Sequence, residues 1–281
     1  MGIRIVTDST CDLGPEAVDR LGVSVVPLKV HFGERTYTDG KELSPAEFYS
    51  MLQKSEVLPK TSQPSPTEFE KVYRELTRDG SSVISIHLSS KLSGTYQSGV
   101  MAKEMLPNAD IEVIDSRLAS LGMALIVRQA ALMAQSGVCR EEIVERTKLN
   151  ALRCHTYFVV ETLEYLFKNG RIGKAAHLMG SLLSLKPILA LEEGVVVARD
   201  KVRGRAKALE RVVDIAAGDV VPGSKVQAAI CHANAPEAAA ALRERVARLY
   251  NVEFWLEGMI GSVIGSHVGP GTVGVILLES V

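Results

Sequence analysis

The first half of the chain alternates short apolar runs with amphipathic segments. The apolar runs cover residues 3–7, 82–88 and 111–114. Each is followed by a helical pattern, over residues 16–21, 95–105 and 118–134 respectively. This alternation is typical of α/β proteins in which helices connect the strands of a mostly parallel sheet. We therefore predict an N-terminal α/β unit.

A different pattern separates the first strand–helix pair from the second. An apolar run over residues 23–32 turns at Gly33-Glu34 into residues 35–38, which predicts a hairpin. A helix follows, because Ser44-Pro-Ala-Glu47 is a capping box with proline at the first helical position. Ser65-Pro-Thr-Glu68 opens another helix, which we expect to end near Gly80. Residues 23–60 thus form a predicted insertion.

The second half predicts a separate α/β unit. Strands are predicted over residues 156–160, 188–191, 195–198, 226–231, 252–256 and 273–278, with helices at 163–168, 206–216 and 237–249. A chain of 281 residues exceeds the size at which one core stops growing. We therefore predict an N-terminal domain over residues 1–155 and a C-terminal domain over 156–281, with a cleft between them.

The composition of the chain argues against several classes of function. The chain is 46% hydrophobic and 23% charged, as in a globular protein with a large aliphatic core. Lys and Arg number 32 against 33 Asp and Glu, which provides no electrostatic footprint for nucleic acid or an anionic membrane. No uncharged apolar run approaches the roughly 18 residues of a membrane span. Residues 1–8 lack a signal-peptide pattern, so we predict a cytoplasmic protein without stable membrane insertion.

Metal and common catalytic motifs are absent from the sequence. Cys11, Cys139, Cys154 and Cys231 are scattered, without a C-x-x-C pair or a histidine at metal-ligand spacing. There is no phosphate loop, no G-x-S-x-G elbow, no S-x-x-K and no H-E-x-x-H. We expect no metal site and no resident cofactor.

Three segments combine hydroxyl side chains with glycine or proline, at residues 61–66, 89–95 and 261–272. Ligands in open α/β sheets bind beyond the carboxyl ends of the strands, where loop amides point outward. Ser93-Gly94 lies between a predicted strand and a predicted helix, so its amides and hydroxyl suit a carboxylate or phosphate. Serine and threonine also commonly cap helices, and Ser65 fits that simpler role.

His267 and Arg171 each have two interpretations at this point. His267 lies between glycines in a segment that we predict to be too rich in small residues for a helix interior, where backbone can approach a ligand closely. A single histidine is more commonly structural. Arg171 follows a predicted helix end, where a basic side chain can simply complement the last carbonyl groups.

Taken as a set and in this order, nine motifs over nearly the whole chain resemble the DegV family. They are Thr7-Asp-Ser-Thr-Cys-Asp-Leu13, Val26-Pro-Leu28, Tyr37-Thr-Asp-Gly40, Thr61-Ser-Gln-Pro-Ser65, Ser89-Ser-Lys-Leu-Ser-Gly-Thr-Tyr96, Ile114-Asp-Ser116, Leu163-Glu-Tyr-Leu166 with Gly170-Arg-Ile-Gly173, Lys186-Pro-Ile-Leu189, and His267-Val-Gly-Pro-Gly-Thr272.

The resemblance implies a two-domain α/β protein that holds a long-chain fatty acid in a tunnel between its domains. It also implies that the chain is the acyl-binding subunit of a bacterial fatty acid kinase, whose partner supplies ATP and metal and phosphorylates the carboxylate. By the family pattern Arg203 is a candidate for contact with that kinase. The carboxylate would be held around Thr61, Ser62, Ser93 and Gly94, with Arg171 and His267 nearby.

The residues leave two other functions open. One is an acyl- or phosphoryl-transfer enzyme with Ser93 as nucleophile and His267 as its base, although no third orienting residue is evident. The other is a sensor of a small acid. For the carrier, a sixteen-carbon tail would gain roughly 10 kcal/mol gross at ~0.8 kcal/mol per buried methylene, so we expect the tail to dominate affinity.

Overall fold

A computed structural model describes residues 2–178 and 185–280 of the chain. Its strands are β1 (Ile3–Asp8), β2 (Ser24–Val26), β3 (Lys29–Phe32), β4 (Arg35–Thr38), β5 (Lys60–Ser62), β6 (Ser82–His87), β7 (Ile111–Asp115), β8 (Cys154–Val159), β9 (Leu185–Glu192), β10 (Val195–Arg203), β11 (Lys225–His232), β12 (Asn251–Met259) and β13 (Val273–Glu279). Its helices are α1 (Pro15–Leu21), α2 (Pro45–Lys54), α3 (Pro66–Leu76), α4 (Thr95–Glu104), α5 (Ser120–Gln135), α6 (Arg140–Leu152), α7 (Glu164–Lys168), α8 (Arg205–Asp219), α9 (Pro236–Leu249) and α10 (Ser262–Val268).

The N-terminal sheet is parallel throughout, in the order β2-β1-β6-β7. Its strand β6 is buried from Val83 to His87, because helices cover a parallel sheet. The alternation of strand and helix therefore predicted this layer correctly.

The apolar run over residues 23–32 is divided between two sheets. β2 joins the parallel sheet, whereas β3 pairs antiparallel with β4 and with β5 in a separate three-stranded sheet. Pro27 lies at the division, and a proline lacks the N–H group that a continuous strand would need. The prediction of one hairpin strand over the whole run was wrong for residues 24–26.

Both capping boxes are present, at Ser44 and Ser65, with hydrogen bonds in both directions to Glu47 and Glu68. The helix opened by Ser65 ends at Leu76, earlier than predicted. Gly80 instead closes the following turn, where its N–H donates to Thr77 O and its φ is +81°.

The second large sheet has the order β10-β9-β8-β13-β11-β12, antiparallel except for the parallel pair β11–β12. Its two faces bury different sets of side chains, as the period of two along a strand requires. On β8, Tyr157 and Val159 belong to the core beneath α8 and α9, whereas Phe158 belongs to the core shared with α5. The division into two domains at residue 155 stays a prediction.

Helix α5 lies between the two large sheets, in contact with β1 and β6 on one side and with β8, β11 and β13 on the other. Every residue from Ser120 to Val127 is buried, which explains why the first two turns of this helix carry no charged side chain. Within residues 2–178 and 185–280, no helix combines the length and apolar character needed to cross a membrane.

Candidate ligand site

A cavity of about 340 Å³ lies between the six-stranded sheet and the N-terminal unit. Its apolar walls come from that sheet, from α10, and from residues at the carboxyl ends of the N-terminal strands. Examples are Phe158, Ile276, Val263, Leu28 and Leu88. The volume falls within the range of small-molecule sites, roughly 300–1,000 Å³.

Polar side chains gather at one part of this cavity and form what we call the polar cluster. Its members are Thr61, Ser62, Gln63, Ser93, Arg171 and His267. The structure therefore brings together five of the six residues for which the sequence predicted carboxylate binding. The sixth, Gly94, does not line the cavity. Gln63 was missed, although it lies within the motif that contains Thr61 and Ser62.

Thr61 and Ser62 lie on a strand, not in the loop that the sequence predicted. β5 pairs with β3, which places Thr61 opposite Val30 and Ser62 opposite Lys29. Ser62 Oγ shares a hydrogen bond of 2.9 Å with His31 Nε2. Three residues are too few for a periodic pattern, so strand pairing here was not visible in the sequence.

His267 lies in helix α10, so the prediction that residues 261–272 are too rich in small residues for a helix interior was wrong. Its Nε2 atom shares a hydrogen bond of 2.9 Å with Thr61 Oγ1. The small residues serve close packing instead. A β-carbon on Gly265 would lie 2.6 Å from Tyr49 Oη, so glycine is what allows α10 to rest against α2.

The imidazole of His267 is neutral near pH 7. Loss of solvent around the ring, followed by the positive charge of Arg171, lowers its pKa to about 4. Its Nδ1 atom is buried and has no hydrogen-bond partner among the described residues.

Arg171 carries the positive charge of the polar cluster. Its Nε donates to Leu92 O at 3.1 Å and its Nη1 to Asn169 O at 2.7 Å. It thus complements a carbonyl near the end of α7, as expected for a basic residue there, and also joins α7 to the loop before α4. Asn169 holds α10 as well, because its Nδ2 donates to Ser266 O at 2.8 Å.

Ser93 lies where β6 gives way to α4. Its Oγ shares a hydrogen bond of 2.9 Å with Thr95 Oγ1, and its N–H donates to Ser89 O. Gly94 is covered by Gln63, since a β-carbon on Gly94 would lie 2.4 Å from Gln63 Oε1. The glycine therefore makes room for Gln63, which in turn faces the cavity.

The enzyme alternative requires Ser93 to meet His267. In the part of the chain that the structure describes, Ser93 contacts Thr95 while His267 contacts Thr61. This geometry does not form a nucleophile–base pair. Arg203, the candidate for kinase contact, is exposed at the end of β10 and does not line the cavity.

A serine–histidine–aspartate arrangement does occur, but in the interior. Ser85 Oγ lies 2.6 Å from His87 Nε2, and His87 Nδ1 lies 3.0 Å from Asp8 Oδ2. All three side chains are fully buried, and Tyr73 Oη donates to Ser85 Oγ at 2.8 Å. A serine that substrate cannot reach does not act as a nucleophile, so this network is structural.

Asp8 links the two loops that follow β1 and β6. Its Oδ1 accepts from Thr10 N at 3.0 Å, and its Oδ2 accepts from Leu88 N at 3.1 Å. Leu88 lines the cavity and precedes the segment that carries Ser93. Among residues 2–178 and 185–280, no group of three histidine, cysteine, aspartate or glutamate side chains could hold a metal ion.

Comparison with known proteins identifies the family of this chain. A family model described as "Uncharacterised protein, DegV family" matches residues 2–280. The chain belongs to the DegV family. A DegV domain-containing protein from Halalkalibacterium halodurans is 39% identical over 274 residues, which cover 97% of both chains.

Solved structures of similar proteins share the fold. A fatty-acid-binding DegV family protein from Thermus thermophilus has 38% sequence identity and a TM-score of 0.94, with all of both chains covered. A stearic-acid-binding protein from Eubacterium ventriosum has 27% identity and a TM-score of 0.88, over 99% of this chain and 98% of that one. The fold of this chain is therefore the two-unit α/β fold of DegV proteins.

Proposed function

We propose that this protein binds a long-chain fatty acid, with the carboxyl group at the polar cluster and the tail along the apolar walls of the cavity. The observation that carries the proposal is a single cavity with a polar end and an otherwise apolar lining. Thr61, Ser93 and Arg171 offer hydroxyl and cationic donors, while residues such as Phe158 and Ile276 line the remainder. Fatty acid binding by the similar Thermus thermophilus and Eubacterium ventriosum proteins supports this assignment.

The protein acts in this proposal as a carrier and not as the catalyst. It presents the carboxylate to a fatty acid kinase, which phosphorylates it to an acyl phosphate, and Arg203 contacts that kinase. Three observations support a non-catalytic role. The sequence lacks a phosphate loop, His267 is not paired with Ser93, and the serine–histidine–aspartate network is enclosed. Gly94 contributes to the site by making room for Gln63.

Extraction of the purified protein tests the ligand. Mass spectrometry of the denatured protein should release a fatty acid and no covalent adduct on Ser93. A stable acyl group on Ser93 would favour the transfer enzyme. If protein from cells supplied with lipid carries neither a fatty acid nor an adduct, the result would favour a sensor of a small acid.

Paired measurements on Ser93→Ala and Thr61→Ala test the polar cluster. Each change removes at most one hydrogen bond to a charged group, about 1.5–3 kcal/mol, whereas the tail contributes several times more. Fatty acid should still bind, but acyl phosphate formation with the kinase at saturating lipid should fall more steeply, because phosphoryl transfer needs an aligned oxygen. Unchanged phosphorylation, or complete loss of lipid binding, would contradict the assignment.

Isolated protein should not consume ATP when fatty acid is present, since its sequence has no phosphate loop. Arg203→Ala should leave fatty acid affinity unchanged and weaken acyl phosphate formation in the presence of kinase. Lys207→Ala, another exposed basic residue nearby in the chain, is a suitable control. Equal effects of the two substitutions would remove the support for a specific contact at Arg203.

A further inference from the structure

One wall of the cavity is formed by every second residue along β13. Thr272, which directly precedes the strand, Gly274 and Ile276 line the cavity. Val273 and Val275 instead belong to the core beneath α8 and α9. This alternation is the period of two of a β-strand. The middle one of three successive cavity-facing positions therefore has no side chain, and the cavity reaches the backbone of Gly274.

Gly274 lies between two residues whose side chains also line the cavity. Strand pairing places it opposite Cys231 of β11 and opposite Phe158 of β8. A β-carbon on Gly274 would lie 3.5 Å from Phe158 Cβ, which is an ordinary contact. It would lie only 2.8 Å from Cys231 Sγ, so one of the two atoms would have to move. The sulfur atom therefore occupies the space that a side chain at position 274 would need.

The backbone conformation does not require glycine at position 274. The φ angle of Gly274 lies outside the left-handed region, and its pairing with both neighbouring strands is regular. A glycine in the interior of a strand weakens the strand, and it commonly marks a place where another group approaches the backbone closely. Here the approaching group is Cys231 Sγ, which can lie against the sheet because Gly274 has no side chain.

The position of the sulfur atom affects the width of the cavity. On its other side Cys231 pairs with Gly258 of β12, and Leu121 of α5 covers that glycine, with its Cδ1 3.6 Å from the β-carbon position. An alanine at position 274 would force Cys231 into another rotamer. Because Leu121 fills the space towards β12, the displaced sulfur would move into the cavity.

We propose that Gly274 and Cys231 together determine the shape of the acyl chain that the cavity accepts. They keep the cavity wide at one point, between the larger side chains of Thr272 and Ile276. A saturated or trans-unsaturated chain is nearly straight and needs no such widening. A cis double bond bends the chain, which then needs extra width at the bend. The site therefore accepts a cis-unsaturated chain whose bend lies beside Gly274. This inference rests on the proposed function, because it assumes that an acyl chain occupies the cavity.

Competition binding with isomeric octadecenoic acids tests the inference. Delipidated protein is loaded with a fluorescent fatty acid, which is displaced by pairs of cis and trans acids with the double bond at the same position. The two acids of a pair have the same composition and differ only in shape. For at least one position, the cis acid should bind the wild-type protein at least as tightly as the trans acid. In Gly274→Ala the cis-to-trans affinity ratio at that position should fall about tenfold, as for a mismatch of one methylene group in an apolar pocket.

Substitutions of Cys231 test the same space from the neighbouring strand. Cys231→Leu leaves Gly274 unchanged but fills the cavity beside it, so the cis-to-trans ratio should fall here as well, which keeps the test valid if Gly274→Ala does not fold. Cys231→Ala should keep the wild-type ratio. The double variant Gly274→Ala/Cys231→Ala should recover most of the ratio that Gly274→Ala loses, because the sulfur is no longer there to be displaced.

Gly258→Ala is the matched control. Gly258 is also a strand glycine beside Cys231, but it does not line the cavity and its β-carbon position makes only ordinary contacts. This change should leave the cis-to-trans ratio intact. The inference is overturned if the trans acid binds the wild-type protein more tightly at every position, or if Gly274→Ala and Cys231→Leu keep the wild-type ratio. Failure of all the fatty acids to bind would instead reject the proposed function.

Discussion

Thr61 and His267 lie 206 residues apart in the sequence and share a hydrogen bond of 2.9 Å. This bond joins β5 of the three-stranded sheet to α10, so the polar cluster exists only when these two elements dock. Asn169 holds α10 from another side through Ser266 O. The position of His267 therefore depends on how closely α10 approaches its neighbours.

Gly265→Ala should destabilise the protein and weaken fatty acid binding together. The new β-carbon would lie 2.6 Å from Tyr49 Oη and 2.8 Å from Phe48 Cε1, so α10 must move away from α2. Overpacking of this kind costs about 1–3 kcal/mol. Because the same helix carries His267, its hydrogen bond with Thr61 should lengthen. Thermal unfolding and fatty acid affinity are the two measurements.

Gly218→Ala is the control for this change, since Gly218 is also a helical glycine but has nothing within 4 Å of its β-carbon position. Alanine there should stabilise the protein by about 0.5–1 kcal/mol, through the higher helix propensity of alanine. Equal stability of the two variants would show that α10 does not depend on close contact with α2.

The sequence predicted the strands and helices of the fold more accurately than the structure of the ligand site. Strand–helix alternation identified the parallel sheet, and Ser44 and Ser65 marked two helix starts, because both signals are local. By contrast, α10 is short and contains an interior glycine, Gly265, whose small size permits contact with Tyr49 and Phe48. That contact depends on α2, more than two hundred residues away, which no local pattern reports.

The same distinction explains which site residues were found. Thr61, Ser62 and Ser93 carry hydroxyl groups in recognisable motifs, whereas Gln63 faces the cavity because Gly94 leaves room for it.

His267 should make the stability of the ligand-free protein fall on acidification. Its pKa is lowered to about 4 in the folded protein, from about 6.5 when unfolded. The unfolded chain therefore binds more protons between these values, and stability is lost as pH falls from 6.5 towards 4. His267→Asn should show a shallower fall over this window, measured by denaturant unfolding. Parallel curves would contradict a buried neutral histidine.

Asp39 should have the opposite effect to His267, because its contribution lowers the stability of the protein as pH rises. Burial raises the pKa of its carboxyl to about 6 from an ordinary value near 4. The folded protein then binds the extra proton, so its contribution to stability is present below pH 4 and is lost as pH rises through 6. Relative to Asp39→Asn, the wild-type protein should lose at most about 3 kcal/mol across this range. No relative change between pH 4 and 7 would refute this effect.

Asp8→Asn should strongly destabilise the protein. The carboxylate accepts hydrogen bonds from Thr10 N, Leu88 N and His87 Nδ1, and an amide nitrogen in its place would face at least one of these donors. Breaking a buried network of this kind costs about 3 kcal/mol or more. Asp79 is exposed, where its carboxylate pairs with Arg4 and accepts a hydrogen bond from Ser81 N at 2.9 Å. Asp79→Asn removes the ion pair but keeps an oxygen for Ser81 N, so it should cost less than about 1 kcal/mol. Comparable losses in chemical denaturation would show that Asp8 is not the link between the two loops.

Gly94→Ala should disturb the polar cluster without unfolding the protein. The added β-carbon would lie 2.4–2.8 Å from the terminal atoms of Gln63. Those atoms belong to a flexible, exposed side chain that can move aside. Displacement costs the hydrogen bond from Gln63 Nε2 to Ser98 Oγ, which is 3.3 Å long, and changes the cavity beside Ser93. Thermal stability should fall by less than about 1 kcal/mol.

Ligand measurements separate the role of Gln63 from that of Gly94. Gly94→Ala should leave the acyl tail bound and lower acyl phosphate formation by the kinase. Phosphoryl transfer requires the carboxyl oxygen to be held in the correct orientation, and the residues around it set that orientation. Adding Gln63→Ala removes the steric conflict. If the conflict is the cause, the double variant should match Gln63→Ala alone, so that alanine at position 94 has no further effect. If the double variant is instead as impaired as the sum of the two single changes, Gly94 acts through its own backbone and not by making room for Gln63.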